Sequence, residues 1–287
     1  MNGVINLYKE KGETSFKSVT RIKKILKMKK VGHTGTLDPD AEGVLPICIG
    51  RATKLVPYIM EGHKIYKASF KLGYTSDTLD SSGTLTETFK AIPEQEKVEK
   101  EVLKFKGESM QLPPMYSALR KDGVRLYTLA RQGIEIEREK RPINVYDIEL
   151  VNYKNGEGQI LMKVSKGTYV RSIIDDLGEN LGTGAIMTDL VREETGFYNI
   201  KDSVKIEEFE KDPKKYIIAM DIVLEEYEKF VIPDKFSKFL INGVKIRDRS
   251  LVDNISLGKY RTYNSKGDFL GLSIRDENSL FLKINLM

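Results

Sequence analysis

The chain has 287 residues, 40% hydrophobic and 31% charged, which provides apolar material for a sizeable core and excludes wholesale disorder. Its formal net charge of +5 is a modest excess whose meaning depends on where it clusters. A single cysteine excludes an internal disulfide, and neither a signal peptide's apolar core nor the ~20 apolar residues of a membrane span occurs, so a soluble, cytoplasmic protein is expected.

Residues 3–8 (Gly3-Val4-Ile5-Asn6-Leu7-Tyr8) form an apolar run of strand length. Thr14 or Ser15 then caps a helix expected to run to about Lys29. Phe16, Val19, Ile22 and Leu26 fall at helical spacing as its buried stripe. Lys17, Arg21, Lys23, Lys24, Lys27, Lys29 and Lys30 crowd the remainder, and no acid occurs between Glu13 and Asp38. A charge run is usually a solvated face. These unpaired like charges nevertheless lead straight into the next segment, and a polyanion beside it would neutralise them and release counterions.

Residues 32–51 read Gly-His-Thr-Gly-Thr-Leu-Asp-Pro-Asp-Ala-Glu-Gly-Val-Leu-Pro-Ile-Cys-Ile-Gly-Arg. Gly32, Gly35 and Gly43 permit a tight loop that a ligand can approach closely, and Pro39 restrains Asp38 to an extended or turn geometry. Residues 44–49 are short and apolar, as a buried strand would be, and Cys48 within them is expected to be an inert thiol. The run Asp38-Pro39-Asp40-Ala41-Glu42-Gly43 loosely matches the opening of an EF-hand. Its twelfth position, where a bidentate Glu is required, is Ile49, and Pro46 interrupts the loop, so that reading fails. Two readings stay open on spacing alone. One is an ordinary turn with solvated acids; the other is a catalytic carboxylate at Asp38, held on a strained loop with His33 five residues upstream.

Residues 64–72 alternate strictly, with Tyr66, Ala68, Phe70 and Leu72 on one face, which by pattern makes Tyr66 a core aromatic. Residues 73–83 are rich in turn formers and read as a loop. An amphipathic helix is expected over 94–106 with Val98, Val102, Leu103 and Phe105 inward. Pro113 and Pro114, with Met115, Tyr116 and Arg120 beside them, read as a surface loop. Residues 143–151 and 158–165 are strand-like around the turn Lys154-Asn155-Gly156. Residues 165–172 lead into a helix and place Arg171 in or just before its first turn. A cation there opposes the helix dipole at a cost of about 0.3–1 kcal/mol unless an anion meets it. From Phe230 onward short strand-like runs alternate with turns at Asn242-Gly243, 264–268 and 276–278, the pattern of a small β-domain.

The string Gly32-His33-Thr34-Gly35-Thr36-Leu37-Asp38-Pro39, followed by Ala41-Glu42-Gly43-Val44-Leu45-Pro46 and Gly50-Arg51-Ala52-Thr53-Lys54, closely resembles the catalytic motif of the TruB family of bacterial tRNA pseudouridine synthases, which modify uridine 55 in the T loop. The resemblance runs from Met1 to about Asp221 and weakly beyond. It implies an α/β (α+β) fold with a mainly antiparallel central sheet flanked by helices. It further implies a catalytic domain over 1–228, carrying an RNA-binding thumb at about 107–141, and a small PUA-like β-barrel RNA-binding domain over 229–287. Asp38 would be the catalytic carboxylate, and Tyr66 of the Lys-x-Tyr-x-Ala strand would pack against the target base. The motif Lys166-Gly167-Thr168-Tyr169-Val170-Arg171 would place Arg171 against Asp38 and Tyr169 beside it. Leu190 would wall the base pocket, and His33 would fill the position vacated by the flipped base. In the thumb, Met115 and Tyr116 would be apolar and stacking contacts, with Arg120, Lys121 and Arg125 facing phosphates. The chain departs from the family at Leu190-Val191-Arg192-Glu193-Glu194, where similar enzymes often read Leu-Arg-Arg. One basic RNA contact is therefore expected to be missing there, and two acids are added.

Converting uridine to pseudouridine breaks the N1–C1′ bond, turns the uracil and rejoins it through C5. No redox change occurs and no phosphate is spent, so the resemblance implies neither a nucleotide cofactor nor a metal. The sequence has no Walker loop and no dinucleotide fingerprint, and its two histidines, His33 and His63, lack ligand-like spacing. The implied partner is the T-arm stem-loop of tRNA, and nothing demands more than a monomer. Two rivals from other classes are a non-catalytic RNA-binding protein on the same scaffold and a metal-dependent hydrolase using Asp38, Asp40 and Glu42.

Overall fold

A computed structural model describes all residues, 1–287. β1 (Gly3–Lys9), α1 (Ser15–Leu26), β2 (Val31–His33), β3 (Glu42–Ile49), α2 (Val56–Glu61) and β4 (Lys64–Leu72) come first. β5 (Tyr74–Ser76), β6 (Leu85–Glu87), α3 (Gln95–Leu103) and β7 (Gly107–Gln111) follow. They lead into an excursion that carries β8 (Arg120–Lys121), β9 (Val124–Arg125) and α4 (Leu126–Ala130). β10 (Arg141–Lys154), β11 (Glu157–Val164), α5 (Val170–Leu181), β12 (Ala185–Thr195), β13 (Tyr198–Asn199), α6 (Ile206–Lys211) and β14 (Ile217–Ile218) come next. The chain ends with β15 (Glu228–Val231), α7 (Asp234–Ile241), α8 (Arg249–Val252), β16 (Gly258–Tyr263), β17 (Phe269–Arg275) and β18 (Leu280–Asn285).

One sheet dominates, with strand order β14-β1-β3-β12-β4-β11-β10-β7, β2 added on β3 and β13 on β12. Its pairings are antiparallel except β3 with β12, so the sheet is mixed. That parallel contact matters for the site. It sets Val191 and Arg192 beside Glu42 and Gly43, the residues at which the chain leaves the 34–41 loop and enters β3. β1 and β3 are almost wholly buried, as their unbroken apolar runs require. The β10–β11 hairpin turns at Asn155 and Gly156, both in the left-handed region (φ 53° and 85°), the geometry that an Asn-Gly pair favours. α5 packs so closely on β12 that a Cβ on Gly178 would lie 2.1 Å from the Ala185 nitrogen, so only glycine fits there.

Several elements differ from the sequence expectation. α1 stops at Leu26 because Lys27 adopts a left-handed conformation (φ 51°) and its N–H caps the carbonyls of Lys23 and Lys24. Phe16 is not part of the buried stripe; it is 73% exposed, while Ser15, Ser18, Val19 and Ile22 face inward. The serines are held by tertiary hydrogen bonds, Ser15 Oγ to the Leu37 backbone and Ser18 Oγ to Glu13, and these set the helix phase. Leu103 at the end of α3 is likewise exposed, whereas Val98 and Val102 are buried. Gly32 lies in β2 with no positive φ, and only Gly35 and Gly43 shape the loop. The 73–83 segment contains β5, which pairs with β6 as a small hairpin.

The C-terminal β-domain is an open sheet of four strands, order β15-β16-β17-β18, with β15 parallel to β16. β15 and β18 are its edges, so it does not close into the expected barrel. Ile232, Phe236, Leu240, Ile246, Leu251, Val252, Leu270 and Leu280 form its own core. A second cluster joins Leu272, Ile284 and Leu286 to Val4, Val44 and Cys48 on the large sheet.

Candidate active site

The 34–41 loop is pinned from beneath by buried Thr34, Leu37 and Ala41. Ser15 Oγ both accepts from the Leu37 N–H and donates to the Leu37 carbonyl, at 2.9 and 3.0 Å. The residue after Leu37 is Asp38, whose side chain remains 42% exposed on this fixed support. Arg171, in the first turn of α5, is buried and reaches it, Nη2 to Oδ2, at 2.9 Å. The cation that the sequence places against the helix dipole thus has its anion.

Arg171 does more than pair with Asp38. Nη1 donates to the Thr78 carbonyl (3.0 Å) and Nη2 to the Tyr116 carbonyl (2.9 Å), and Asp80 Oδ2 lies 3.5 Å from Nη1. Asp80 is itself fixed by Thr78 Oγ1, the Ser82 N–H and Ser82 Oγ. The turn that carries it docks on β12 through the backbone pairs of Ser81 and Leu79 with Met187. One guanidinium therefore ties together the Asp38 loop, the 76–83 turn and the root of the 112–140 excursion. Asp80 had no signal in the sequence beyond its turn-forming neighbours.

Tyr169 precedes α5, its main chain locked by a reciprocal pair with Gln111: its N–H donates to Oε1 (2.8 Å) and Nε2 donates to its carbonyl (3.0 Å). Burial pushes its phenol above the ordinary range, so it is a neutral hydrogen-bonding group in the vicinity of Asp38 and Arg171. Tyr66 is half-buried against the main core and stands opposite Arg192 in the β4–β12 register, while Leu190 is buried opposite Ala68. His33 is half-buried in β2, and its Nδ1 accepts from the Gly35 N–H at 3.3 Å. Burial first, and then the Arg192 charge, lower its pKa, so the ring is neutral with its proton on Nε2. Asp38 and Arg171 touch directly, with Tyr169 in the field of both; His33 lies in the field of Arg192, Tyr66 stands opposite Arg192 across the β4–β12 pairing, and Leu190 lies two residues before it on β12.

Two buried cations hold the loop, and neither has a carboxylate partner. Lys9, wholly buried at the end of β1, donates through Nζ to the carbonyls of Ala41 (2.5 Å), Pro39 (3.1 Å) and Glu10 (3.2 Å). Burial pushes its pKa down to about 8. Arg192 donates through Nε to the Val44 carbonyl (2.7 Å) and through Nη2 to the Gly35 carbonyl (3.2 Å). The loop is thus gripped on both sides of Asp38. Arg192 is internal rather than an outward basic contact, and Glu194 faces His63 (2.8 Å) and Asn199 (3.1 Å). Of the departing residues Glu194 has polar partners within the protein, whereas Val191 and Glu193 are half-buried and make no side-chain hydrogen bond or ion pair. No group of three or more carboxylate, imidazole or thiol side chains is arranged to hold a metal, and Asp38, Asp40 and Glu42 do not converge.

Residues 23–170 match the family model described as TruB family pseudouridylate synthase (N terminal domain), and residues 171–231 match the tRNA pseudouridylate synthase B C-terminal domain. The chain is 45% identical over 287 residues to a protein of Clostridium acetobutylicum named tRNA pseudouridine synthase B, covering 99% of each. It is 46% identical to the Clostridium tetani protein of that name over 274 residues, 95% of each, and 38% identical to that of Alkaliphilus oremlandii, covering 99% of this chain and 97% of the relative. Among solved structures it superposes on a chain of a Cbf5-Nop10-Gar1 complex with a TM-score of 0.74 and 26% identity, over 99% of this chain and 85% of that one.

Proposed function

The chain belongs to the TruB family of pseudouridylate synthases, and from that premise we propose that it isomerises uridine 55 in the T loop of tRNA, with Asp38 as the carboxylate acting at the glycosidic bond. One observation carries this reading. Asp38 is exposed at the mouth of a rigid loop, yet is met from below by a buried Arg171 at 2.9 Å. The pairing takes up one carboxylate oxygen and leaves the second free for a substrate.

The reaction is an isomerisation: the N1–C1′ bond breaks, C5–C1′ forms, and the proton on C5 moves to N1. The Asp38 carboxylate attacks C1′ or removes a proton to start elimination, and both roles need the same aim. The target uridine is extruded from its loop at a cost of a few kcal/mol. Tyr66 stacks on it, Leu190 and Tyr169 wall the pocket, and neutral His33 fills the space it leaves. Tyr66 also accepts the C5 proton late in the reaction, a role that full turnover by Tyr66→Phe would overturn. The 107–141 thumb closes over the RNA with Met115 and Tyr116 against bases and Arg120, Lys121 and Arg125 on phosphates. Residues 1–228 form the catalytic unit and 229–287 a smaller PUA-like RNA-facing module. The protein acts as a monomer in the cytoplasm.

The test is tritium release from a T-arm minihelix carrying 5-³H-uridine, comparing the wild type with Asp38→Asn. Release by the wild type alone, with the variant still binding RNA, is expected. Tight salt-sensitive binding without release by the wild type would make the chain an RNA-binding protein on a synthase scaffold.

A further inference from the structure

Phe16 is one of the most exposed large apolar side chains of the protein, 73% accessible on α1. Two serines of the same helix are buried in its stead. The helix phase is fixed by the Ser15–Leu37 hydrogen-bond pair, so Phe16 is held outward one residue from the segment that carries Asp38. At 100° per residue Thr20 and Lys23 fall near the Phe16 line, with Lys17 and Lys24 both to one side of it. Lys23 stands about 10 Å further along the axis, and Lys27 follows as the residue that ends the helix. Arg21 is the one cation of this helix that is paired, to Glu13 and Glu207. The lysines Lys17, Lys23, Lys24 and Lys27, and Lys29 and Lys30 beyond, have no carboxylate partner.

We propose that Phe16 is a base-stacking residue for the RNA substrate, heading a cationic face of α1 that follows the RNA backbone away from the Asp38 loop. This rests on the RNA reading above and adds a contact to it. An apolar protein partner seated on Phe16 would have to bury the neighbouring ammonium groups without countercharge, whereas RNA supplies both halves of what the face offers. Its phosphates meet the lysines, and an unstacked loop base meets the ring. The stack contributes to binding rather than to chemistry, because Phe16 lies outside the Arg171 network.

The wild-type chain contains no tryptophan, so Phe16→Trp in the Asp38→Asn background installs a single fluorophore at the site. A T-arm minihelix should quench it saturably, while the same stem closed as a blunt duplex should bind in a salt-dependent way without quenching it. In the active enzyme Phe16→Ala should raise KM about tenfold with kcat within about twofold, and Phe16→Tyr should restore KM. Quenching by poly-glutamate equal to that by the minihelix would show that the ring senses charge rather than a base, and would overturn the proposal. So would minihelix binding without quenching together with an unchanged KM in Phe16→Ala, while the synthase reading stands. Failure of the Asp38→Asn chain with Phe16 intact to bind the minihelix would overturn the RNA reading itself, and this proposal with it.

Discussion

Arg171 and Asp38 lie 2.9 Å apart although 132 residues of chain separate them, and the cation is buried while the carboxylate is half exposed. The asymmetry has a consequence for design. A buried guanidinium needs several acceptors, and Arg171 finds them in the carbonyls of Thr78 and Tyr116 as well as in Asp38. Its position is therefore set by three segments, and it transmits that position to the one group left facing solvent.

Arg171→Lys should retain the charge and lose the fork, since an ammonium cannot hold two carbonyls and a carboxylate in one plane. With Asp38 in the proposed catalytic role, misplacing it by about 1 Å should cost on the order of 10²-fold in turnover. The expected result is a kcat lower by that factor with minihelix affinity within about threefold of wild type, read by single-turnover tritium release. A variant with full turnover would separate Arg171 from the aim of Asp38.

Lys9 gives a pH signature. Its pKa falls from the ordinary 10.5 to about 8 in the fold because burial disfavours the charged form. Between these values the unfolded chain binds more protons than the folded one, so this group makes stability rise with pH across that window; below pH 8 its penalty is complete and constant. Lys64, likewise buried and pushed to about 8, acts with the same sign. Thermal melts of the wild type and Lys9→Met at pH 7, 8 and 9.5 should show the wild type gaining on the variant only above pH 8. A wild-type-minus-variant melting difference that stays flat or falls above pH 8 would mean that Lys9 is not desolvated as the hydrogen-bond geometry indicates.

Gly43 and Gly32 make a matched pair. Gly43 has φ 107°, and a Cβ there would lie 2.2 Å from the Arg192 carbonyl oxygen, a backbone atom that cannot move aside without breaking the β3–β12 contact. Gly32 has no positive φ and open space around its Cβ position. Gly43→Ala should destabilise by about 2 kcal/mol or more, whereas Gly32→Ala should fall within about 0.5 kcal/mol of wild type by denaturant melts.

Much of this arrangement is legible from periodicity. β1, β3, β4 and the β10–β11 hairpin follow from apolar runs, strict alternation and the Asn155-Gly156 turn, because each buries a face that its own residues define. Loop composition makes Asp38 one of two readings and helix polarity makes Arg171 an unmatched cation, but their pairing is implied only by the family resemblance, since no local pattern couples positions so far apart. Phe16 shows why apolar spacing fails: two serine hydroxyls with tertiary acceptors fix the helix phase against it. Lys9 and Arg192 were not legible as loop anchors, because their partners are main-chain carbonyls of other segments, which carry no side-chain signature.

Cys48 offers a probe of the sheet. It is wholly buried in β3, and burial pushes its thiol up to about 12, so the thiolate is scarce at neutral pH. A thiol reagent should label it only when β3 opens, at a rate that follows global unfolding across a denaturant series. Rapid labelling of the native protein would show β3 opening locally beside the Asp38 loop.

Removal of residues 229–287 tests how separate the C-terminal sheet is. Its own core argues for autonomy, but Leu272, Ile284 and Leu286 pack with Val4, Val44 and Cys48 of the large sheet. The carbonyls of Leu286 and Asn285 accept from Arg51 and Lys54. Each large apolar side chain stripped from a core contact forfeits about 1.5–3 kcal/mol, and the exposed back of β1 and β3 would present a contiguous apolar patch. A chain ending at residue 228 should therefore melt well below the full-length protein and self-associate. Unchanged melting of the shortened chain would show that the shared cluster contributes no stability and that the two sheets are independent folding units.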